Sequence, residues 1–261
     1  MAGSKLKIDI RRNKILEIVR QDGKVVVSDL SRKLGTTPVT IRNDLTALER
    51  DGYLIRTKGG AVLMPHQDDG SNSPLLSLRV DRSEEKMAIA NAVANMIQDG
   101  DTLFINSGST TQILANALKV RSNLNIVTNS LAAATILGDT PTFRVVLLGG
   151  AINATYGFTY GGDAQAQLSK FQADWAFLSV DGVSVRGGIT THHAEEAVID
   201  NMMIDGARSA WVVVDRSKIG RAGFARIGDD LRQVGLVTSA GDPNETRDLE
   251  RSGMHIVYAR S

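Results

Sequence analysis

The sequence predicts two domains of unequal size: a small helical domain with a β-hairpin in residues 1–63, and an α/β domain with a mainly parallel sheet in residues 81–261. Three observations predict this division. The first 63 residues carry three helical patterns followed by two short apolar runs around a Gly-Gly pair. From residue 83, seven short apolar runs alternate with helical stretches, which is typical of parallel strands covered on both faces. Residues 64–80 are polar and rich in Pro, Gly and Ser, which predicts a linker.

Length and composition exclude several classes of protein. A chain of 261 residues is long for one domain and short for three. It has no cysteine, which excludes disulfide scaffolds, thiolate metal sites and cysteine nucleophiles. No apolar run approaches the ~18–20 residues that span a bilayer, and residues 1–10 lack the pattern of a secretory signal. We therefore expect a cytoplasmic protein without a membrane partner.

The net charge of +1 hides an asymmetry between the two predicted domains. Residues 1–63 hold 13 Lys and Arg against 7 Asp and Glu, whereas the remainder holds 17 against 22. A basic N-terminal quarter on a mildly acidic body indicates that the small domain binds a polyanion.

The small domain opens with two helical patterns. Apolar residues at helical spacing predict a first helix that ends near Gly23, and residues 25–27 read as a short extended stretch. We expect Ser28 to cap a second helix that ends before Gly35. The first two helices have these apolar residues on their buried faces: Ile15, Ile18, Val19, Val27, Leu30 and Leu34.

A third helix and a hairpin complete the small domain. Thr37 followed by Pro38 is a strong helix start, since a hydroxyl caps the helix and proline suits its first position. The helix buries a stripe formed by Ile41, Leu45 and Leu48 and ends by Gly52. Residues 53–57 and 61–63 flank Gly59-Gly60, which predicts a β-hairpin.

A helix, a tight turn and a capped second helix form a helix-turn-helix, and the hairpin adds a wing. The second helix of this motif enters the major groove, where short polar side chains and arginine contact base edges. Arg56 and Lys58 on the hairpin, and Arg11, Arg12 and Lys14 on the first helix, are placed for phosphate contact. We expect Asp44 to hold an arginine. The candidate DNA-contacting residues are Thr36, Thr37, Val39, Thr40, Arg42, Asn43, Arg56 and Lys58. A domain that mediates protein contacts is the alternative.

The larger domain begins with a predicted helix from Ser83 to about Gln98. Seven apolar runs follow as predicted strands, at 103–105, 125–127, 144–148, 175–178, 211–214, 235–237 and 255–258. Residues 106–111 follow the first of these strands and open a helix. Small residues, hydroxyls and the N–H groups of a helix start suit a phosphate, although an ordinary turn is the alternative.

Further polar turns follow other strands or begin helices. They lie at 128–130, 149–150, 180–183, 187–191, 195–197 and 215–218. A carboxylate, a lysine and a hydroxyl loop gathered at one sheet edge would form a sugar-phosphate pocket, because carboxylates accept hydrogen bonds from sugar hydroxyls and lysine pairs with phosphate.

These motifs resemble a known family over nearly the whole chain. The run T-I-R-N-D-L at 40–45 with the hairpin R-T-K-G-G-A at 56–61 resembles the winged helix-turn-helix of the DeoR family of bacterial sugar-catabolism repressors. The stretch from residue 83 to the end resembles the DeoR-type effector domain, similar in fold to ribose-5-phosphate isomerase and CoA transferases. The resemblance implies a repressor that a phosphorylated sugar releases from operator DNA, acting as a dimer or tetramer. It implies no cofactor and no enzyme activity, and a protein that lies on the nucleoid when bound.

The same resemblance assigns candidate effector contacts. Asp181 matches the first carboxylate of the isomerase D-G-A-D motif, but the second falls at Ser184, which argues against isomerase chemistry. Glu195 or Glu196 remains as a possible base, so an isomerase with an accessory N-terminal domain is the alternative function. The candidate effector-binding residues are Ser107, Gly108, Ser109, Thr110, Thr111, Asn129, Asp181, Thr191, Glu195 and Lys218.

Other sites are poorly supported. His192 and His193 are adjacent, so their side chains point apart, and no third ligand accompanies them; we expect no metal site. A hydrolase is poorly supported, because no G-x-S-x-G motif with a partnered histidine stands out in the sequence. The aromatic and glycine-rich residues 155–162 are either a flexible ligand lid or a packed turn.

Overall fold

The computed structural model describes residues 11–12, 14–16, 18–19, 22–50, 54–63, 84–154, 156–239 and 243–260. Contacts divide the chain into two compact units, residues 1–72 and 73–261, and each is described by itself. The predicted linker at 64–80, the helix start at Ser83 and the helix stop at Gly52 lie outside the described residues.

The N-terminal unit contains the predicted helices and hairpin. The described residues between 11 and 22 are helical. They precede β1 (Lys24–Val26), α1 (Val27–Lys33), α2 (Pro38–Arg50), β2 (Leu54–Thr57) and β3 (Gly60–Leu63). The extended stretch before α1 pairs with the hairpin, which gives an antiparallel sheet in the order β1-β3-β2.

Two residues, Thr37 and Ser28, were predicted to cap helices, and the structure gives a different outcome for each. The cap of α2 is confirmed, because the amide of Thr40 donates to Thr37 Oγ1 at 3.2 Å. The cap of α1 is wrong: the helix begins at Val27, after Val26 as N-cap residue, so Ser28 lies in its first turn. The amide of Val27 donates instead to the carbonyl of Gly59, at 2.8 Å. The hairpin turn thus satisfies a backbone group at the helix start.

Gly60 allows β1 and β3 to pair closely. A Cβ atom at this position would lie 1.9 Å from the carbonyl oxygen of Val25. Only glycine fits such a close backbone approach without displacing the strand. The second glycine of the hairpin is therefore required for packing.

The C-terminal unit is built on a seven-stranded parallel sheet, which confirms the predicted mainly parallel sheet and all seven predicted strands. The strands are β4 (Thr102–Ile105), β5 (Asn125–Thr128), β6 (Arg144–Leu147), β9 (Ala173–Leu178), β12 (Ala207–Val213), β14 (Val234–Ser239) and β15 (Ile256–Ala259). Their order across the sheet is β15-β14-β12-β9-β4-β5-β6.

Helices cover both faces of this sheet. They are α3 (Glu84–Met96), α4 (Ser109–Ala117), α5 (Leu131–Gly138), α6 (Gly162–Leu168), α7 (Ala194–Asp205) and α8 (Pro243–Arg251). Alternate residues of each strand enter two cores. Leu103 and Ile105 belong to the core that includes residues of α3, α4 and α5, whereas Phe104 belongs to the core that includes residues of α6, α7 and α8.

Five short strands lie outside the main sheet and were not predicted. β7 (Ala151–Asn153) pairs with β8 (Phe158–Tyr160), and β10 (Gly182–Ser184), β11 (Gly188–Thr191) and β13 (Ala225–Gly228) form a small sheet. Phe158 and Thr159 are buried, which favours a packed turn over a lid for the described part of residues 155–162. Within the described ranges, no helix has the length and apolar character needed to cross a membrane.

Candidate functional site

The face of α2 opposite the core is exposed, as its spacing predicts. Ile41, Leu45 and Leu48 are at most 3% exposed. Arg42 and Asn43 are exposed, and Val39 is 61% exposed, a large value for a valine. We call Val39, Thr40, Arg42 and Asn43 the exposed face of α2. Thr36 and Thr37 lie just before the helix, where the Thr37 hydroxyl contacts that of Thr40 at 2.9 Å.

Asp44 is a structural residue, as the sequence predicts. Its side chain is buried and accepts bonds from Arg11 Nε at 2.5 Å and Arg12 Nε at 3.1 Å. The two arginines therefore join the first helical segment to α2. Both arginines were expected to contact phosphates, but in the structure the Nε atom of each donates to Asp44.

The two basic residues of the hairpin differ in their surroundings. Lys58 is exposed in the turn between β2 and β3. Arg56 is only partly exposed, and its guanidinium donates to oxygen atoms of the hairpin and of α2. The two residues had the same sequence expectation, and Lys58 is the more exposed of the two.

In the C-terminal unit, Asn106 joins the carboxyl ends of β4 and β9. It is fully buried, donates from Nδ2 to the carbonyl of Ser179 at 2.9 Å and accepts from the amide of Ser179 at 2.8 Å. Parallel α/β sheets bind ligands at this edge of the sheet. Asn106 thereby fixes the start of the loop that leads to α4.

The loop between β4 and α4 passes very close to β9. Gly108 has a φ of +153°, and a Cβ there would lie 2.4 Å from the Cβ of Ser179. The Thr111 hydroxyl donates back to the Gly108 carbonyl at 3.0 Å, and the Gln112 amide donates to the same carbonyl at 3.0 Å. The amides of residues 109–111 come before the first intrahelical bond, so they have no acceptor within the helix. Ser109, in the same turn, is exposed. The loop can hold an anion with backbone N–H groups.

Two carboxylates of α7 face this loop. Ser107 Oγ donates to Glu196 Oε1, and Thr191 Oγ1 donates to Glu196 Oε2 at 2.8 Å. One helical turn later, Asp200 accepts from Asn106 Nδ2 at 3.1 Å. Glu196 and Asp200 are both buried, so α7 holds the loop through two acidic side chains.

Burial governs the protonation of these two carboxyls. It raises the pKa of Glu196 to about 7; hydrogen bonds from Ser107 and Thr191 act against this, and the charge of Asp181 adds to it. Burial, and then the charge of Glu196, raise the pKa of Asp200 well above its ordinary value. The pair therefore retains a proton near neutral pH.

Asp181 is an ionised carboxylate beside a lysine. Burial opposes its ionisation, but the positive charge of Lys218, an electrostatic contribution from His192, and hydrogen bonds from the His192 amide and the Thr191 hydroxyl lower its pKa below the ordinary value. Lys218 Nζ lies 3.5 Å from Asp181 Oδ1, and the His192 amide donates to Oδ2 at 3.0 Å. The lysine is held at the same edge of the sheet as the loop.

The structure brings together many of the predicted effector residues. We define the polar cluster as the bonded set Asn106, Ser107, Asp181, Thr191, Glu196, Asp200 and Lys218. Gly108, Ser109, Thr110 and Thr111 continue directly from its Ser107. The sequence analysis placed Asn106 in the loop at 106–111 but not among the candidate effector residues, and it missed Asp200, although an acidic pair four residues apart on one helix is a signal that could have found Asp200.

Two predicted residues stand apart from this cluster. Glu195 is exposed, whereas its neighbour Glu196 enters the cluster. Asn129 is fully buried at the end of β5, where its Nδ2 donates to the Thr159 carbonyl at 3.4 Å and its Oδ1 has no partner among the described residues. Ser184, at the position of the second isomerase carboxylate, accepts from the Gly187 amide in a turn.

Comparisons with known proteins follow this division of the chain. Residues 11–67 match the DeoR-like helix-turn-helix domain, and residues 81–240 match the DeoR C-terminal sensor domain. The chain is 34% identical to the glycerol-3-phosphate regulon repressor of Escherichia coli K12, over 89% of this chain and 91% of that one. It is 29% identical to a putative aga operon transcriptional repressor of Escherichia coli O157:H7, over 95% and 92%. The lactose phosphotransferase system repressor of Lactococcus lactis is 34% identical, over 81% and 83%.

A solved structure also aligns with part of the chain. Ribose 5-phosphate isomerase A from Methanocaldococcus jannaschii covers 51% of this chain and 52% of its own, with a TM-score of 0.38 and 16% identity. A likeness at this level carries no statement about activity.

Proposed function

The chain belongs to the DeoR family of transcriptional regulators, and on that premise we propose that it represses a sugar-utilisation operon and leaves its operator when a phosphorylated sugar binds the sensor domain. Its similarity to the repressors covers both domains. The relatives support this regulator and not the isomerase alternative. The observation that carries the effector part is the polar cluster, which joins a lysine, carboxylates and the start of α4 at one sheet edge.

On the DNA side, we propose that the exposed face of α2 contacts base edges in the major groove. Arg42 and Asn43 can hydrogen-bond to bases, and the exposed Val39 can contact a thymine methyl group. Thr36 and Thr37 precede the helix, where contact with the DNA backbone fits their hydroxyls. Lys58 in the hairpin turn provides a phosphate contact.

On the effector side, we propose that the phosphate binds at the loop from Ser107 to Thr111. The amides at the start of α4 and the charge of Lys218 favour an anion there. Asp181, Thr191 and Glu196 would then accept or donate hydrogen bonds to the sugar hydroxyls. Ser107 belongs to both the proposed phosphate site and the proposed sugar-hydroxyl site, because its hydroxyl already donates to Glu196.

Release from the operator follows from linkage. A ligand shifts a population only if it binds one conformation or subunit arrangement more tightly than the other. We propose that the protein acts in the cytoplasm as a dimer or tetramer, since operators with two half-sites are read by symmetric oligomers.

Two single substitutions test whether operator binding and effector binding depend on different residues in the two domains. Arg42→Ala removes a proposed base contact and should weaken operator binding by roughly 1–3 kcal/mol, without changing the effect of sugar phosphates on thermal stability. Lys218→Ala should keep operator binding and abolish release. Lys119→Ala, which removes an exposed charge elsewhere, serves as the matched control.

The assay is fluorescence anisotropy of an operator duplex, selected by the protein from a random library, at a fixed salt concentration. Sugar phosphates are tested individually, as ribose 5-phosphate, glucose 6-phosphate, fructose 6-phosphate and glycerol 3-phosphate. Operator binding by Arg42→Ala that equals that of the unmodified protein would rule out our assignment of the recognition helix. Full release of Lys218→Ala would rule out the lysine as an effector contact.

A further inference from the structure

Arg56 is joined to the recognition helix by its side chain. Its Nη1 donates to Thr46 Oγ1 at 2.8 Å and to the carbonyl oxygen of Arg42 at 3.3 Å. Its Nε donates to the carbonyl oxygen of Gly60, across the hairpin, at 3.1 Å. One guanidinium therefore bridges β2, β3 and α2.

The backbone of the same residue makes a further bond to the helix. The amide of Arg56 donates to Glu49 Oε1 at 2.9 Å. Arg42, Thr46 and Glu49 are spaced by four and three residues, so they share one face of α2 over two turns. The hairpin is thus attached to the helix at three successive positions through a single residue.

We propose that Arg56 is a positioning residue that sets the angle between the wing and the recognition helix, and that it is not a phosphate ligand. The inference rests on the proposed operator binding by α2. It replaces the sequence expectation for Arg56 and leaves the phosphate role to Lys58. The same contact holds the backbone of Arg42, a proposed base-reading residue, in register with the wing.

The chemistry of the side chain supports this role. A guanidinium has five N–H donors in a fixed planar fork, which suits three acceptors that lie in different directions. A lysine keeps the positive charge but has a single donor atom, so it cannot span the same acceptors. A phosphate contact, in contrast, would depend mainly on the charge.

Salt dependence separates the two roles. Affinity for DNA falls as salt rises, and the salt slope is taken as the magnitude of the fall in log affinity per unit of log salt concentration. A side chain that neutralises a phosphate adds roughly 0.9 to this magnitude. A positioning residue changes the preference for the operator over random duplex and leaves that slope unchanged, because no counterion is released at its position.

The experiment measures binding of the full chain to operator and random duplex from 50 to 300 mM KCl. We expect Lys58→Ala to lower the salt slope by about 0.9. We expect Arg56→Ala and Arg56→Lys to reduce the operator preference by roughly tenfold each, with the slope unchanged. Lysine retains the charge, so its failure to rescue is the distinguishing result.

Thr46→Val supplies a second variant that leaves every charge in place. It should reproduce part of the loss, and combining it with Arg56→Ala should add little, because both changes remove the same contact. The inference is overturned if Arg56→Lys binds like the unmodified protein, or if Arg56→Ala lowers the slope as Lys58→Ala does. Absence of any operator preference in the unmodified protein would instead refute the proposed function.

Discussion

Glu196 makes the stability of the sensor domain depend on pH. Burial raises the pKa of its carboxyl from an ordinary value of 4.5 to about 7. In the unfolded chain the proton leaves near pH 4.5, so between these values the folded state binds more protons. The free energy of unfolding therefore falls as the pH rises through this window. A separation of about 2.5 between the two pKa values corresponds to roughly 3 kcal/mol, fully expressed above pH 7.

Glu196→Gln removes this penalty and keeps the shape of the side chain. An amide can still accept from Ser107 and can donate to the Thr191 oxygen. The variant should be about as stable as the unmodified protein at pH 4.5. By pH 8.5 it should be more stable by roughly 3 kcal/mol, which for a domain of this size is an increase in Tm of about 6–12 °C.

Tryptophan fluorescence measures this transition selectively. The chain has two tryptophans, Trp175 on β9 and Trp211 on β12, and both lie in the sensor domain. Melting curves are recorded from pH 4.5 to 8.5, with Glu195→Gln as the control, since Glu195 is the exposed neighbour on the same helix. An equal difference in Tm between Glu196→Gln and the unmodified protein at every pH would show that the titration of Glu196 does not change the stability of the domain.

Two further substitutions test the loop of the sensor domain and the core of the DNA-binding domain. Gly108→Ala places a Cβ 2.4 Å from that of Ser179 at a positive φ, so the loop must move, at a cost of roughly 2–5 kcal/mol. Isothermal calorimetry should show that the variant no longer binds sugar phosphates, while operator binding persists. Undiminished affinity for the effector would contradict this. Asp44→Ala leaves two arginines of the first helical segment without their buried partner, and circular dichroism at 222 nm should show a destabilisation of about 2–3 kcal/mol with the tryptophan transition unchanged. Asp29→Ala removes an exposed ion pair and should cost under about 0.5 kcal/mol, so an equal effect of both substitutions would argue against the buried role.

Features that depend on local sequence were predictable. The strands of the main sheet are short apolar runs because both of their faces are covered, and this pattern stands out in the sequence. The cap at Thr37 follows from the Thr37-Pro38 pair, and the burial of Asp44 follows from its spacing relative to the apolar stripe of the same helix. In contrast, the five short strands of the C-terminal unit outside the main sheet mix apolar residues with glycine and polar residues, so they resemble loops.

Features that depend on tertiary contacts were not predictable. Glu195 and Glu196 are adjacent and chemically identical, and only the packing of α7 decides that Glu196 faces Ser107. The partners of Arg56 lie 4 to 14 residues away, across a turn and on a different helix. The sequence alone therefore suggests a DNA contact for Arg56, and only the structure shows which oxygen atoms of the domain its guanidinium contacts.

In the proposed function, occupancy of the sensor domain sets the affinity for operator DNA. Calorimetric titration of a sugar phosphate into the free protein, and into its complex with the selected operator duplex, measures this coupling. Because coupling is reciprocal, a sugar phosphate that weakens operator binding must itself bind the complex more weakly by the same factor, which we expect to be at least fivefold. Equal affinity of each bound sugar phosphate for the free protein and for the complex would show that the effector site and operator binding are not coupled.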